Sequence, residues 1–171
     1  MDILVTGDGV LRYGDKTCRA ALGRGGIRCD KREGDGATPA GRFALRRVLY
    51  RPDRLAPPQS DLPTRPLAVD DGWCDAPGDE NYNRLVRLPY AASAERLWRD
   101  DRFYDIVVVL GHNDNPVVAG AGSAVFFHLA RADYAPTAGC VAVARQDMLD
   151  ILAACGPQSA LVISPETPAG G

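Results

Sequence analysis

The sequence feature that most constrains the fold is a series of short β-prone segments separated by turn residues. Apolar or β-branched residues dominate 3–6, 10–13 and 17–22, while glycine and aspartate stand in the gaps at 7–9 and 14–15. Glycine and aspartate favour tight turns, and short apolar runs bounded by them are typical of strands. This region lacks the 3.6-residue period of an amphipathic helix. The first part of the chain therefore predicts a mainly β fold.

The later part of the chain continues this pattern with one or two short helices. Continuous apolar runs at 105–110 and 123–129 predict strands that are buried on both faces. Helices are predicted at 91–100 and at 145–155, the second ended by a Gly-Pro pair. A proline-rich stretch at 51–66 predicts a surface excursion rather than a linker. Further strands are predicted at 43–50, 67–69, 140–143 and 160–163.

Length and charge limit the domain number and the class of partner. The 171 residues are enough for a single domain with a sizeable core, predicted at 1–165 and followed by a flexible tail at 166–171. The 20 Lys and Arg residues against 22 Asp and Glu residues leave a net charge of -2. Without a basic field, no nucleic-acid partner is expected. The sequence gives no indication of the oligomeric state.

The cysteines and the first residues indicate a reduced protein that is not held in a membrane. The five cysteines are an odd number without a C-x-x-C pair, which disfavours a disulfide framework and a zinc knuckle. The first residues lack the basic leader and long apolar core of a signal peptide, and no window reaches the length of a membrane span. We therefore expect a cytoplasmic location, or a periplasmic one if a leader has been removed.

A cysteine and a histidine near the end of the chain form a candidate base-nucleophile pair. Cys140 follows Gly139 at the start of an apolar segment, and His128 ends the preceding predicted strand. Cysteine attacks as the thiolate, and a neighbouring imidazole can remove its proton. The N–H groups of Gly139 and Cys140 are natural donors for an oxyanion. Core packing of both side chains is the alternative interpretation.

Two other interpretations use the second histidine. His112 lies in a turn-rich loop after a predicted buried strand, so it competes with His128 for the role of base. A metal site could be drawn from His112, His128, Asp114 and Cys140, but no two of these ligands have a short metal-binding spacing. We expect no metal ion and no other cofactor.

The loop at 36–43, with a threonine and a proline at 38–39, and the segment from His128 to 141 resemble two signatures of the L,D-transpeptidase catalytic domain, a family also called YkuD-type. The loop at 36–43 reads Gly-Ala-Thr-Pro-Ala-Gly-Arg-Phe and is similar to the family's Thr-Pro-x-Gly-x-aromatic signature. His128 and the downstream segment Thr-Ala-Gly-Cys-Val at 137–141 resemble the second signature, a histidine followed by Ser/Thr-x-Gly-Cys-aliphatic. The segments at 73–75, 82–84 and 111–114 are similar to those of short members of the family.

The resemblance implies a β-sandwich-like fold and a cysteine enzyme that acts on peptidoglycan stem peptides. It implies that Cys140 is the nucleophile, His128 the general base and Gly139 the oxyanion-hole glycine. The chain departs from the family pattern in three places. Ala138 stands where histidine is common, Ala142 stands where arginine is common, and the loop between His128 and Cys140 is short. These departures affect binding of the acyl acceptor more than formation of the acyl-enzyme.

The expected reaction is hydrolysis of the bond before the terminal D-Ala of a tetrapeptide stem, as in a cytoplasmic L,D-carboxypeptidase of muropeptide recycling. Formation of 3-3 cross-links by transpeptidation is one alternative, and binding of peptidoglycan fragments without catalysis is another. The substrate carboxylates require forked or backbone donors. Candidate substrate-binding residues are His112, Arg131, Thr137, Trp73, Asp75, Tyr82, Asn83 and Arg84.

Overall fold

The computed structural model describes residues 1–165 and consists mainly of short strands. The tail predicted at 166–171 lies outside the described residues. The strands are β1 (Asp2–Thr6), β2 (Val10–Tyr13), β3 (Lys16–Ala21), β4 (Ile27–Arg28), β5 (Thr38–Pro39), β6 (Gly41–Tyr50), β7 (Thr64–Pro66), β8 (Asp71–Cys74), β9 (Leu85–Arg87), β10 (Ala94–Arg96), β11 (Ile106–Leu110), β12 (Phe126–Leu129), β13 (Val141–Val143) and β14 (Ala160–Ser164). The described helix is α1 (Arg145–Ala154). The mainly β fold predicted from the sequence is confirmed.

The largest sheet closes on itself. Its strands follow the order β11-β12-β13-β3-β2-β1-β14-β6-β7, and β11 also pairs with β6. This pairing closes a ring from which only β7 is left out, as a short side strand on the second half of β6. Strands β1 and β14 lie side by side and parallel, with Asp2 opposite Ala160. Since closure pairs both edges of each strand in the ring, few backbone groups of the sheet are left exposed.

One set of alternating side chains points into this ring and forms the main core. Val108 on β11, Phe127 on β12 and Val141 on β13 are completely buried there. Helix α1 adds Met148, Ile151 and Leu152, which are also completely buried. Burial of each such side chain contributes roughly 1.5–3 kcal/mol before entropy is counted. The side chains that alternate with this set must therefore point out of the ring.

The outward-pointing side chains of β11 and β12 form a second apolar cluster. Val107, Val109 and Phe126 belong to it, together with Cys140 just before β13. A three-stranded sheet with the order β10-β8-β9 covers this outer face. Trp73 on β8 packs edge-on against Phe126, with 5.1 Å between the ring centroids. The three-stranded sheet thus shields part of the outer face of β12, where His128 also points.

The helix predicted at 91–100 is wrong. This segment contains the strand β10, which pairs antiparallel with β8 and places Glu95 opposite Trp73. Pairing with β8 satisfies backbone groups that a helix would have satisfied locally, and tertiary contacts override the helix propensity of these residues. The alternation also buries Leu97 completely in the second cluster. Trp98 is fixed separately, because the Arg51 guanidinium lies 3.9 Å from its ring centroid.

The strand predicted at 67–69 is also displaced. The strand formed is β7 (Thr64–Pro66), because it pairs in parallel with the end of β6 and places Thr64 opposite Val48. Leu67 follows the strand and is buried in the second cluster. The apolar character of this segment therefore reports burial and not strand pairing.

All five cysteines are free thiols in the part of the chain that the structure describes. This agrees with the reduced state expected from their odd number. Within residues 1–165, no helix combines the length and apolar character needed to cross a bilayer.

Candidate active site

Strands β12 and β13 place His128 and Cys140 on the same face of the sheet. The two strands are parallel, with Phe127 opposite Val141 and His128 opposite Ala142. Because side chains alternate, His128 and Ala142 point to the same outer face, and so does Cys140, two residues before Ala142. Both side chains also line the same cavity, so the structure brings the predicted pair together.

The Cys140 thiol is held by backbone groups of the segment before β12. Its S–H donates to the carbonyl oxygen of Ala124, and its sulfur accepts from the N–H of Phe126, both at 3.3 Å. Burial, reinforced by the negative charge of Glu95, raises the pKa of Cys140 to about 12. The resting group is therefore the thiol. A base must remove its proton as the sulfur attacks.

His128 has the protonation state that a base requires. Its Nδ1 lies 2.9 Å from the carbonyl oxygen of Leu129. A carbonyl oxygen only accepts, so Nδ1 carries the proton and Nε2 is the unprotonated nitrogen of the neutral ring. Burial lowers the pKa of His128 to about 4, against the smaller opposite effect of the Leu129 carbonyl. The Tyr104 ring packs edge-on against the imidazole, with 5.1 Å between centroids, and limits its orientation.

Thr137 fixes the backbone around the nucleophile. Its hydroxyl donates to the carbonyl oxygen of Cys140 at 2.7 Å and accepts from the N–H of Gly139 at 3.1 Å. The Gly139 N–H is thus already engaged, while the Cys140 N–H has no acceptor within residues 1–165. Of the two oxyanion donors expected from the sequence, Cys140 has its N–H available. The donor role of Gly139 stays a prediction and requires release from Thr137.

The loop with the Thr-Pro-x-Gly signature contacts the backbone just before Cys140. The hydroxyl of Thr38 accepts from the N–H of Gly23 at 2.8 Å, and Gly23 in turn bridges to Thr137. A Cβ at Gly139, where φ is +141°, would lie 2.8 Å from the carbonyl oxygen of Ala37. The two motifs are therefore in direct contact, and only glycine fits at position 139.

A cavity of about 380 Å³ opens next to the thiol. Of the residues predicted for the site, Cys140, His128, Gly139, Thr137, Arg131 and Asp75 line it. The remaining predicted residues, His112, Trp73, Tyr82, Asn83 and Arg84, do not line it. A volume of this size is within the range of small-ligand pockets.

Asn83 lies one layer behind the cavity and connects its wall to the covering sheet. Its Oδ1 accepts from Trp73 Nε1 at 2.9 Å and from the N–H of Ala124 at 3.1 Å. Its Nδ2 donates to the carbonyl oxygens of His112 and Asn113, at 3.0 and 2.7 Å. Since the Ala124 carbonyl accepts from the thiol, Asn83 holds the residue that orients Cys140. The Asn83 side chain does not line the cavity itself, but Ala124, to which it is hydrogen-bonded, does.

The other predicted residues outside the cavity also have structural contacts. The Tyr82 hydroxyl donates to the Glu33 carboxylate and accepts from the N–H of Gly122 at 3.1 Å. His112 Nε2 lies 3.1 Å from the carbonyl oxygen of Ala121, and burial lowers its pKa. Arg84 lines a separate cavity of about 300 Å³. No contact joins His112 to His128 within the described residues.

Several charged and aromatic residues of the cavity were not predicted from the sequence. They are Arg24, Lys31, Glu33, Glu95, Arg99, Phe103 and Tyr104. Lys31 and Glu33 precede the Thr-Pro loop, so their closeness to that motif was a usable signal. Glu95 belongs to the segment mistaken for a helix. Its pKa is raised by burial, and its carboxylate accepts from the Tyr104 hydroxyl. Only long-range pairing of β10 with β8 brings it to the site.

The arrangement of these groups around the cavity defines a class of protein. A buried thiol, a neutral imidazole and a free backbone N–H beside a cavity are the parts of a cysteine acyl-transfer site. In the described part of the chain, no three or more His, Cys, Asp or Glu side chains are placed to hold a metal ion.

Comparison with known proteins agrees with this class. Residues 2–163 match the family model of the L,D-transpeptidase catalytic domain, YkuD, and the chain belongs to this family. The family acts on peptidoglycan stem peptides, and the match supports a cysteine-dependent enzyme of the same kind here. Comparison with individual curated proteins gave no significant match.

Proposed function

We propose that the protein is an L,D-carboxypeptidase that removes the terminal D-Ala from tetrapeptide stems of peptidoglycan fragments. One observation carries the proposal: the Cys140 thiol and the neutral His128 imidazole share a small cavity whose lining is charged. A charged cavity of this size suits the charged end of a stem peptide.

The chemistry follows from the positions of these groups. The Cys140 sulfur attacks the carbonyl carbon before D-Ala, and its proton passes to Nε2 of His128. The oxygen of the tetrahedral intermediate accepts a hydrogen bond from the Cys140 N–H. Collapse of the tetrahedral intermediate breaks the C–N bond, and the D-Ala amine takes the proton from His128. A thioester between the peptide and Cys140 remains. Water then attacks the thioester, gives one proton to His128, and releases the tripeptide as the sulfur is reprotonated.

The charges of the cavity match a zwitterionic substrate. Its lining has three arginines, Arg24, Arg99 and Arg131, and three carboxylates, Glu33, Asp75 and Glu95. A diaminopimelate residue presents a free ammonium and a free carboxylate, and D-Ala adds a second carboxylate. Arginine forks suit the carboxylates, and the acidic side chains suit the ammonium.

Two small residues favour water as the acceptor. Ala138 and Ala142 both line the cavity, and neither has a donor or a charge with which to hold an incoming amine. A transpeptidase must bind and orient the acceptor amine, whereas water needs only access to the thioester. These features support hydrolysis over cross-linking.

The product mixture from a defined tetrapeptide tests the proposal. The protein is incubated with free tetrapeptide, alone and with a second peptide as amine acceptor, and products are separated by liquid chromatography and mass spectrometry. We expect tripeptide and D-Ala in both reactions. Dominant cross-linked product would show a transpeptidase, and binding without turnover would show a fragment-binding protein.

Matched cysteine variants test the nucleophile. Cys140→Ala should abolish turnover, while Cys29→Ala, at an exposed cysteine, should leave it unchanged. A carbapenem should add its mass to Cys140 and to none of the other four cysteines. Unchanged turnover by Cys140→Ala would exclude Cys140 as the nucleophile. The cytoplasmic location stays a prediction, for which cell fractionation is the test.

A further inference from the structure

Lys31 is a buried lysine beside the nucleophile. The chain contains only two lysines, and the other, Lys16, is exposed on β3. The Lys31 side chain is 8% exposed and lines the cavity that contains Cys140 and His128. A lysine is rarely buried to this extent without a specific partner. Its position therefore requires an explanation.

Two hydrogen bonds fix the Lys31 ammonium in place. It donates to the carboxylate of Asp35 and, at 2.9 Å, to the carbonyl oxygen of Arg32. Asp35 is itself held by the N–H groups of Arg32 and Ala37, both at 2.8 Å. Burial acts to raise the pKa of Asp35, but these hydrogen bonds outweigh it and lower the pKa to about 2. An ammonium has three donors, so one remains for a further acceptor.

The ammonium lies next to the glycine before the nucleophile. Lys31 Nζ is 3.7 Å from the point where a Cβ on Gly139 would lie. Side-chain donors are scarce here, because the side chain of Ala138 is a methyl group, and the Gly139 N–H is engaged by Thr137. Of the two backbone donors expected from the sequence, the N–H of Cys140 remains for a negative charge formed at the reacting carbonyl.

We propose that Lys31 stabilises the negative charge that develops on the sulfur and on the tetrahedral oxygen during acyl transfer. The inference rests on the proposed acyl-transfer function and adds a charge-stabilising residue to it. A fixed cation in an enclosed site stabilises a developing anion more strongly than the same cation in water. Asp35 has the separate task of holding the ammonium in position.

The other charges around the thiol are consistent with this role. Glu95 faces the thiol from β10 and acts to raise the pKa of Cys140, whereas Lys31 acts to lower it. Glu33, Arg99, Tyr104 and His128 also line the cavity. Glu33 is engaged by the hydroxyls of Tyr82 and Ser123, and Arg99 pairs with Asp101. Lys31 is thus the cation that opposes Glu95 at the sulfur.

The test combines a reaction that needs no substrate with one that does. Cys140 alkylation by iodoacetamide is followed by mass spectrometry across a pH series, and kcat and KM are measured with tetrapeptide. The variants are Lys31→Met, Lys31→Arg and the double variant Lys31→Met/Asp35→Asn, which removes the unpaired carboxylate. Lys16→Met is the matched control at the exposed lysine.

We expect Lys31→Met to slow alkylation at fixed pH by about tenfold, which corresponds to a rise of about one in the pKa of the thiol. We expect kcat to fall by about 10²-fold with little change in KM. The double variant should behave similarly, Lys31→Arg should recover part of both losses, and Lys16→Met should match the parent protein.

Three results would overturn the inference. They are unchanged alkylation and kcat in Lys31→Met, a rise in KM alone, and full recovery by the double variant. A rise in KM alone would show a residue that binds a substrate carboxylate. If the parent protein has no turnover, the proposed function fails and the alkylation result still decides the role of Lys31. Thermal unfolding of each variant identifies any loss of fold.

Discussion

At the scale of single residues, both members of the candidate catalytic pair are neutral in the resting site. The pKa of Cys140, raised by burial, and the pKa of His128, lowered by burial, both favour the neutral forms. Burial costs a neutral pair less hydration free energy than it would cost a thiolate-imidazolium pair. Proton transfer must therefore accompany attack. This explains the value of a fixed cation near the sulfur.

Gly139 is the residue whose substitution should be most damaging outside the catalytic pair. Its φ of +141° is strained for any other residue, and a Cβ would lie 2.8 Å from the Ala37 carbonyl oxygen. We expect Gly139→Ala to lower the free energy of unfolding by about 1–3 kcal/mol and to reduce turnover through displacement of Cys140. Chemical denaturation and tetrapeptide assays measure the two effects.

Gly156→Ala is the matched control for this prediction. A Cβ there meets nothing within 4 Å, and its φ is outside the left-handed range. Stability and turnover should stay at parental values. Gly139→Ala with parental activity would show that the loop before Cys140 adjusts freely.

At the scale of elements, the Asn83 side chain connects the covering sheet to the segment before β12, in addition to the packing of Trp73 against Phe126. Asn83 follows β8 and joins Trp73 to the N–H of Ala124. Ala124 has a φ of +50°, which is unusual for alanine, and its carbonyl holds the Cys140 thiol. The hairpin formed by β8 and β9 thus maintains Ala124 in the orientation that the Cys140 thiol requires.

Removal of the Asn83 side chain should separate these two elements. Asn83→Ala leaves the donors of Trp73 and Ala124 and the carbonyls of His112 and Asn113 without their partner. We expect a loss of about 2–4 kcal/mol in the free energy of unfolding, since a buried unsatisfied group costs about 1–3 kcal/mol and, of the four groups, only the Trp73 donor lies in a fully buried hydrogen bond. Acylation of Cys140 by a carbapenem should also slow, because Ala124 is released.

Asn81→Ala is the comparison for this variant. Asn81 lies on the same hairpin and donates to the Tyr90 hydroxyl at 2.8 Å, without contact to Ala124. Its substitution should leave the acylation rate unchanged. Equal acylation rates in the two variants would mean that Asn83 does not position the site.

The elements also show how far the sequence can predict the structure. Strands with apolar runs, such as β11 and β12, were predicted within a few residues because local pattern decides them. The segment at 91–100 was not, because β10 depends on pairing with β8. The same reason explains which site residues could be predicted from the sequence. Cys140 and His128 belong to local motifs, whereas Glu95 reaches the cavity only through distant strand pairing.

At the scale of the whole molecule, burial of the two histidines makes the free energy of unfolding depend on pH. The pKa of His128 is lowered by burial from 6.5 to about 4, and the pKa of His112 is also lowered by burial. As pH falls from 6.5 towards 4, the unfolded chain binds protons at these positions and the native protein does not. Stability should therefore fall over this window. Glu95, whose pKa is raised by burial, acts in the opposite sense.

Comparison of the parent with His128→Gln isolates the contribution of one group. Glutamine is polar and similar in length to histidine but does not titrate. We expect the parent to lose about 3 kcal/mol more than His128→Gln between pH 7.5 and pH 4, because burial lowers the pKa of His128 from 6.5 to about 4. Urea denaturation at several pH values measures this. Parallel curves for the two proteins would show that His128 is not buried as a neutral group.

The parallel pairing of β1 with β14 has a consequence for synthesis. These two strands, from opposite ends of the described chain, lie side by side in the closed sheet. A nascent chain that ends before β14 presents two open edges, on β1 and on β6. Contacts between such distant segments also form slowly. The ring can therefore close only after β14 has been translated and has left the ribosome.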